Sequence, residues 1–136
     1  MTIQKETNEF IDNCMKTASL NHEEIIGRLK DPEIVNLLHS AMGMSTEANE
    51  ILDVLKKHIF YGKELDLVNI EEELGDSNWY QSLAIHSLRM KEYQTSWEQI
   101  WDKVIKKLSK RYGSEFNKEG AINRDLQAER EILEEK

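Results

Sequence analysis

The sequence predicts an all-α fold: a four-helix-bundle-like core of long amphipathic helices that is completed by oligomerisation. A single proline stands in 136 residues, so long stretches are free of the strongest helix breaker. Strict apolar and polar alternation, the pattern of a half-buried strand, is hard to find anywhere in the chain. Apolar residues instead recur at three- and four-residue steps, which is the spacing of one buried helix face.

Length and composition indicate a single helical domain over residues 1–136. The chain has 18 Lys and Arg against 26 Asp and Glu, a formal net charge of −8, which disfavours sequence-independent binding to nucleic-acid phosphates. No stretch approaches the roughly 20 apolar residues of a membrane span, and the N-terminus lacks the apolar core of a signal peptide. Cys14, the one cysteine, excludes an internal disulfide. A cytoplasmic protein without a membrane partner is therefore expected.

The N-terminal region, residues 1–30, contains two predicted helices. The first runs through roughly residues 3–18, where apolar side chains follow helical spacing. A short second helix follows Asn21, whose side chain can cap it, with Glu24 at the third position.

The central helical core is predicted to cover residues 31–113 and opens with its longest helix. Asp31, Pro32 and Glu33 supply an N-cap, a first-turn proline and a first-turn acid. The helix is expected to continue to about Ile59, because apolar residues recur on one face: Ile34, Leu37, Leu38, Ala41, Met44, Ala48, Ile51, Leu52 and Leu55.

A turn over residues 61–66 separates this helix from the next, which is predicted from about residues 67–69 to Met90. A capping box over Thr95–Glu98 then opens a further helix that ends near Gly113. The remaining segment, residues 114–136, holds a last helix within roughly 124–135, capped by Asn123 or Asp125.

Two acid pairs are the candidate metal ligands. Glu47 and Glu50 stand three residues apart on one predicted helix, and Glu73 and Asp76 on the next, so each pair presents neighbouring carboxylates. This spacing is common among 26 acids, and a solvated helix face explains most such pairs. Helical projection, however, places Glu73 on the buried face, with Asp76 at its edge, Glu47 at the border of its own apolar face and Glu50 toward solvent. A buried carboxylate needs a cation nearby.

Two cations show the same inward placement. On the helix that begins at Trp97, Arg111 projects close to the centre of the apolar face and Lys107 lies at its margin. Carboxylates and cations that face one interior have the composition of a metal and phosphate site. The alternative is that both cations extend to solvent at the helix C-terminus, where the dipole favours them.

Five segments in order resemble the MazG-like family of all-α nucleoside triphosphate pyrophosphohydrolases, particularly its short single-domain members. The resemblance spans about residues 37–125. The segments are His39–Glu50, Lys56–Lys63, Glu72–Tyr80, Lys107–Tyr112, and Phe116 with Ala121–Asp125.

The resemblance implies a site and a reaction. Its Mg²⁺ ligands, with Mn²⁺ as an alternative ion, correspond to Glu47, Glu50, Glu73 and Asp76, which would also serve catalysis. Family members pack as oligomers, so a second copy can cover the face that carries Glu50. Substrate phosphates correspond to Lys107, Arg111 and Tyr112.

The implied reaction is hydrolysis of (d)NTP between the α- and β-phosphates, which yields (d)NMP and pyrophosphate. Many relatives carry Asn where Val104 stands, so one polar contact is missing or replaced. The alternative function is a non-catalytic helical oligomer that binds metal or nucleotide in a regulatory role. A preference for dUTP or dCTP stays open, as does the choice between dimer and tetramer.

Overall fold

The computed structural model describes residues 2–135 of the chain, with side chains described from residue 8. It confirms the all-α class: within the described range the chain forms seven helices and no strand. The helices are Thr2–Met15 (α1), His22–Arg28 (α2), Pro32–Tyr61 (α3), Leu67–Met90 (α4), Trp97–Tyr112 (α5), Lys118–Ile122 (α6) and Leu126–Glu134 (α7).

The ends of the long helix α3 follow from local chemistry. The Asp31 side chain accepts a hydrogen bond from the Glu33 amide at 2.9 Å, and Pro32 occupies the first helical turn. Gly62 ends the helix with a φ of 66°, a left-handed conformation that favours glycine, and the amide of the following Lys63 donates to the Lys57 carbonyl at 3.2 Å. The predicted start is confirmed, and the helix runs two residues past Ile59.

Two further helix boundaries differ from the expectation. The first helix ends at Met15 rather than near residue 18. Just after this end, the Thr17 hydroxyl donates to the Cys14 carbonyl. Helix α5 is capped by Ser96, whose hydroxyl accepts from the Gln99 amide, rather than by Thr95. The Thr95 carbonyl instead accepts from the Arg89 side chain at 2.7 Å.

The C-terminal segment carries one helix that the sequence pattern did not predict. This helix, α6, has only five residues, too few to show an amphipathic period. Between the two cap candidates for α7, the structure selects Asp125, which accepts from the Ala128 amide at 3.0 Å.

The helices α3 and α4 form an antiparallel pair, joined by a turn of five residues. Small side chains lie where the two helices approach closely, since Ser40 and Ser87 are fully buried and Gly43 faces the Tyr80 ring. At the far end, the Lys91 ammonium donates to Asp31 at 2.6 Å and joins the end of α4 to the start of α3.

A second group of contacts joins α5 to α6 and α7. Lys103 on α5 donates to the Leu133 carbonyl at 2.8 Å, and Arg111 forms an ion pair with Glu129 on α7. The C-terminal segment therefore folds back along α5.

Few apolar side chains are buried within one chain. Among the described residues, the buried apolar side chains are those of Val54 and Ile85. Large apolar groups stay exposed on every long helix, including Phe10, Met42, Leu52, Phe60, Val68, Leu74, Trp79, Trp101 and Ile105. No helix in the described part of the chain is both long enough and apolar enough to cross a membrane.

Candidate metal and phosphate site

Three acids meet on the paired helices α3 and α4. One carboxylate oxygen from each of Glu47, Glu73 and Asp76 lies within 4.8 Å of the other two. Glu73 and Asp76 are adjacent on one face of α4 because three residues make almost one helical turn. The antiparallel packing then places Glu47 of α3 against them. This arrangement is an all-oxygen donor set of the kind that Mg²⁺ and Mn²⁺ take.

Glu73 is the inner member of this acid cluster, with only 8% of its surface exposed. Its Oε1 accepts a hydrogen bond of 2.6 Å from the Asn69 side chain, one turn earlier on α4. The neighbouring Glu47 carboxylate and the burial of the group raise the pKa of Glu73, against the opposing effect of Asn69. Ionised carboxylates this close repel one another, and a bound divalent cation would relieve that repulsion.

Glu50 is not brought to the acid cluster. Glu50 is exposed on α3, and the acid cluster in the described part of the chain consists of the other three acids. Helical projection had placed Glu50 toward solvent, and a single chain keeps it there.

Charged side chains of both signs lie close to the cluster at the α3–α4 turn. A cavity of about 210 Å³ is lined by two lysines, Lys57 and Lys63, by two acids, Glu64 and Asp66, and by Asn69, the residue that donates to Glu73. Lys57 also forms an ion pair with Asp53 at 2.5 Å, while Lys56 reaches the second oxygen of the same carboxylate. Asn69 therefore links the two features, because it lines the cavity and donates a hydrogen bond to the acid cluster.

The predicted phosphate ligands lie on α5. Lys107 is half-buried, and the Arg111 side chain is 14% exposed, in agreement with its inward projection. The Tyr112 ring centroid is 5.5 Å from the central guanidinium carbon of Arg111, within cation–π range. These three residues are thus grouped on one helix, whose packing partners are α6 and α7.

Arg111 has a partner that the sequence analysis missed. Glu129 on α7 accepts from Arg111 Nε at 2.8 Å and from Nη2 at 2.6 Å. Arg124 binds the same carboxylate, with Nη2 at 2.6 Å. The two arginines lower the pKa of Glu129 to about 2. The sequence did hold a signal for this placement, because Glu129 lies three residues from both Leu126 and Ile132, which helical spacing places on the same face.

Val104 lines a larger groove of about 1000 Å³ between the end of α4, α5 and α7. Its side chain is 37% exposed and offers no polar atom. A polar contact supplied from this position in relatives would have to come from another residue here.

Comparison with known proteins identifies the family. Residues 37–116 match the family model described as the MazG nucleotide pyrophosphohydrolase domain. The matched region contains the acid cluster and α5, and it ends before Arg124 and Glu129. No curated protein and no solved structure matches the chain. Since the match covers more than half of the chain, the protein belongs to the MazG nucleotide pyrophosphohydrolase domain family.

Proposed function

We propose that the chain is a Mg²⁺-dependent pyrophosphohydrolase that cleaves (d)NTP to (d)NMP and pyrophosphate. The observation that carries this proposal is the acid cluster of Glu47, Glu73 and Asp76 in a chain of this family. Oxygen ligands without a nitrogen or sulfur donor favour Mg²⁺ or Mn²⁺ over zinc or copper.

The acid cluster is proposed to hold the ion and to handle the proton of water. When bound, the ion lowers the pKa of a coordinated water and shields the triphosphate charge. Glu73, held by Asn69, keeps a fixed orientation toward Glu47 and Asp76. A carboxylate of this cluster accepts the proton as water attacks the α-phosphorus. The bond from that phosphorus to the bridging oxygen breaks, and pyrophosphate leaves.

The residues Lys107, Arg111 and Tyr112 are proposed to bind the substrate phosphates. Lysine contributes a point charge and arginine a planar set of donors, both suited to phosphate oxygens. Their charge opposes the negative charge that accumulates on the departing pyrophosphate. Glu50 is proposed as a fourth metal ligand, reached when a second copy covers its face.

We also propose that the chain forms a homo-oligomer, a dimer or a tetramer. The support is the set of large apolar side chains left exposed along α3, α4 and α5 in one chain. A second helix pair against α3 and α4 would complete a four-helix core.

A non-catalytic protein that binds metal or nucleotide is the second candidate. Val104, which carries no polar atom in a position often occupied by Asn, is the observation that favours it. Both candidates predict that Mg²⁺ raises the melting temperature, because a bound ion relieves the repulsion in the acid cluster. Only the enzyme is predicted to hydrolyse the bound nucleotide.

The deciding experiment uses a panel of ribo- and deoxynucleoside triphosphates with Mg²⁺, with Mn²⁺ and with a chelator. Pyrophosphate and orthophosphate are scored separately. Glu73→Gln removes the inner carboxylate, while Glu71→Gln, an exposed acid on the same helix, is the matched control. We expect metal-dependent pyrophosphate release that Glu73→Gln abolishes and Glu71→Gln keeps. Metal-induced stabilisation without turnover on any nucleotide would instead support the binding protein.

A further inference from the structure

An ion triad of Arg111, Arg124 and Glu129 lies at the junction of α5 and the C-terminal segment. The Glu129 side chain is only 6% exposed, so the carboxylate that both arginines bind is itself buried. Arg111 is likewise nearly covered, whereas the Arg124 side chain is 43% exposed. Truncating one member of such a buried charged group leaves the others uncompensated.

Both arginines use the same edge of the guanidinium group. Arg111 and Arg124 each donate from Nε and Nη2 to the two oxygens of Glu129. The Nη1 nitrogen of either arginine takes part in no hydrogen bond with the residues whose side chains are described. Glu129 therefore fixes the Nε–Nη2 edge of Arg111 and does not engage the Nη1 donors.

The charge of the triad also suits an anion. The two guanidinium groups stay protonated in proteins, and Glu129 is ionised at neutral pH because its pKa is lowered to about 2. The triad thus carries a net charge of one positive unit. Without Arg124, the pair of Arg111 and Glu129 would be neutral and would attract phosphate weakly.

Further contacts hold the end of α5 in the same place. Gly120 of α6 lies directly against the Arg111 carbonyl, so that a Cβ atom at this position would collide with it. Asn117 donates to the Tyr112 carbonyl at 3.0 Å. The C-terminal segment therefore restrains both the backbone and the side chain of Arg111.

We propose that Glu129 is a positioning residue that holds Arg111 by its Nε–Nη2 edge so that Nη1 meets a substrate phosphate, with Arg124 cancelling the charge of Glu129. This inference rests on the proposed function, in which Arg111 binds phosphate. It assigns a role in phosphate binding to α7, which lies outside the segment that matches the family.

The test measures binding of Mg²⁺-pyrophosphate by titration calorimetry, and KM and kcat for the best triphosphate, well below the melting temperature. Glu129→Gln removes the charge that holds Arg111. Glu129→Asp keeps the charge but withdraws it by one methylene, which gives a second variant if the first does not fold. Arg130→Gln is the matched control, an exposed arginine on the same helix.

We expect both Glu129 variants to weaken pyrophosphate binding and to raise KM by roughly ten- to a hundredfold, as misplacement of a binding group does. Glu129→Asp should be the milder of the two, and Arg130→Gln should match the wild type.

Three results would overturn the proposal. Tighter binding or faster turnover in Glu129→Gln would show that Glu129 competes with phosphate for Arg111. A lower melting temperature with unchanged binding would show a purely structural ion pair. In both cases the wild type remains active, so the proposed function stands. A wild type that neither binds nor hydrolyses any triphosphate would remove the proposed function, and the positioning role with it.

Discussion

At the scale of single residues, Gly43 shows how closely α3 and α4 approach. A Cβ atom at this position would overlap the ring of Tyr80, whereas one at Gly75 on α4 would meet open space. We expect Gly43→Ala to destabilise the chain by about 1–3 kcal/mol through overpacking. Gly75→Ala should stabilise it by up to about 1 kcal/mol through helix propensity. Urea unfolding of the two variants measures both values, and a gain at both positions would contradict the contact.

Glu129 makes stability depend on pH. Its pKa lies near 4.5 when free and is lowered to about 2 by Arg111 and Arg124 in the folded chain. As the pH falls, the Glu129 carboxylate is protonated in the unfolded chain before it is protonated in the folded chain. The stabilisation of the fold by the Glu129 ion pairs is therefore present above about pH 4.5 and is lost as the pH falls toward 2. The difference in melting temperature between the wild type and Glu129→Gln should shrink across this range.

The control for this pH dependence is Glu131→Gln, an exposed acid on the same helix. Its melting temperature should follow the wild type at each pH in the series. A gap between the wild type and Glu129→Gln that stays constant from pH 7 to pH 2 would show that Glu129 is not held as an ionised partner.

At the scale of elements, α7 depends on its N-cap. Asp125 accepts from the Ala128 amide, whereas Asn123 ends the preceding helix and caps nothing on α7. Asp125→Ala should cost about 1 kcal/mol of stability, and Asn123→Ala much less. Thermal unfolding of the two variants checks this difference. Equal losses would argue against the boundary at Leu126.

Several helix boundaries were predictable from residues close to them in the sequence. Asn21, Asp31 and the turn near Gly62 carry their own hydrogen-bond and backbone preferences, so their positions follow from neighbours in the sequence. The cap of α5 was misplaced by one residue because Thr95 and Ser96 offer the same hydroxyl. The choice depends on Arg89, which binds the Thr95 carbonyl from another helix.

At the scale of the whole molecule, the exposed apolar surface predicts association. The large side chains left open on α3, α4 and α5 would be costly in a free monomer. We expect light scattering coupled to size exclusion to give a mass of two or four times 16.0 kDa. A monodisperse 16.0 kDa species across micromolar concentrations would contradict the proposed oligomer.

The candidate site was partly predictable from the sequence. Helical projection placed Glu73 inside and Asp76 at the edge, and the structure shows a buried Glu73 and an exposed Asp76. It also placed Glu50 toward solvent, where a single chain leaves it. The role of these residues in metal binding stays a prediction, as do the roles of Lys107, Arg111 and Tyr112 in phosphate binding.

The sequence by itself determined the all-α class, most helix starts and the face on which each acid lies, because these depend on periodicity and on caps within a few residues. Only the tertiary structure decided that Glu47 meets Glu73 and that Glu129 binds Arg111. These partners are 26 and 18 residues apart along the chain and lie on different helices. Their contact depends on how two helices pack, which the periodicity of one helix does not specify.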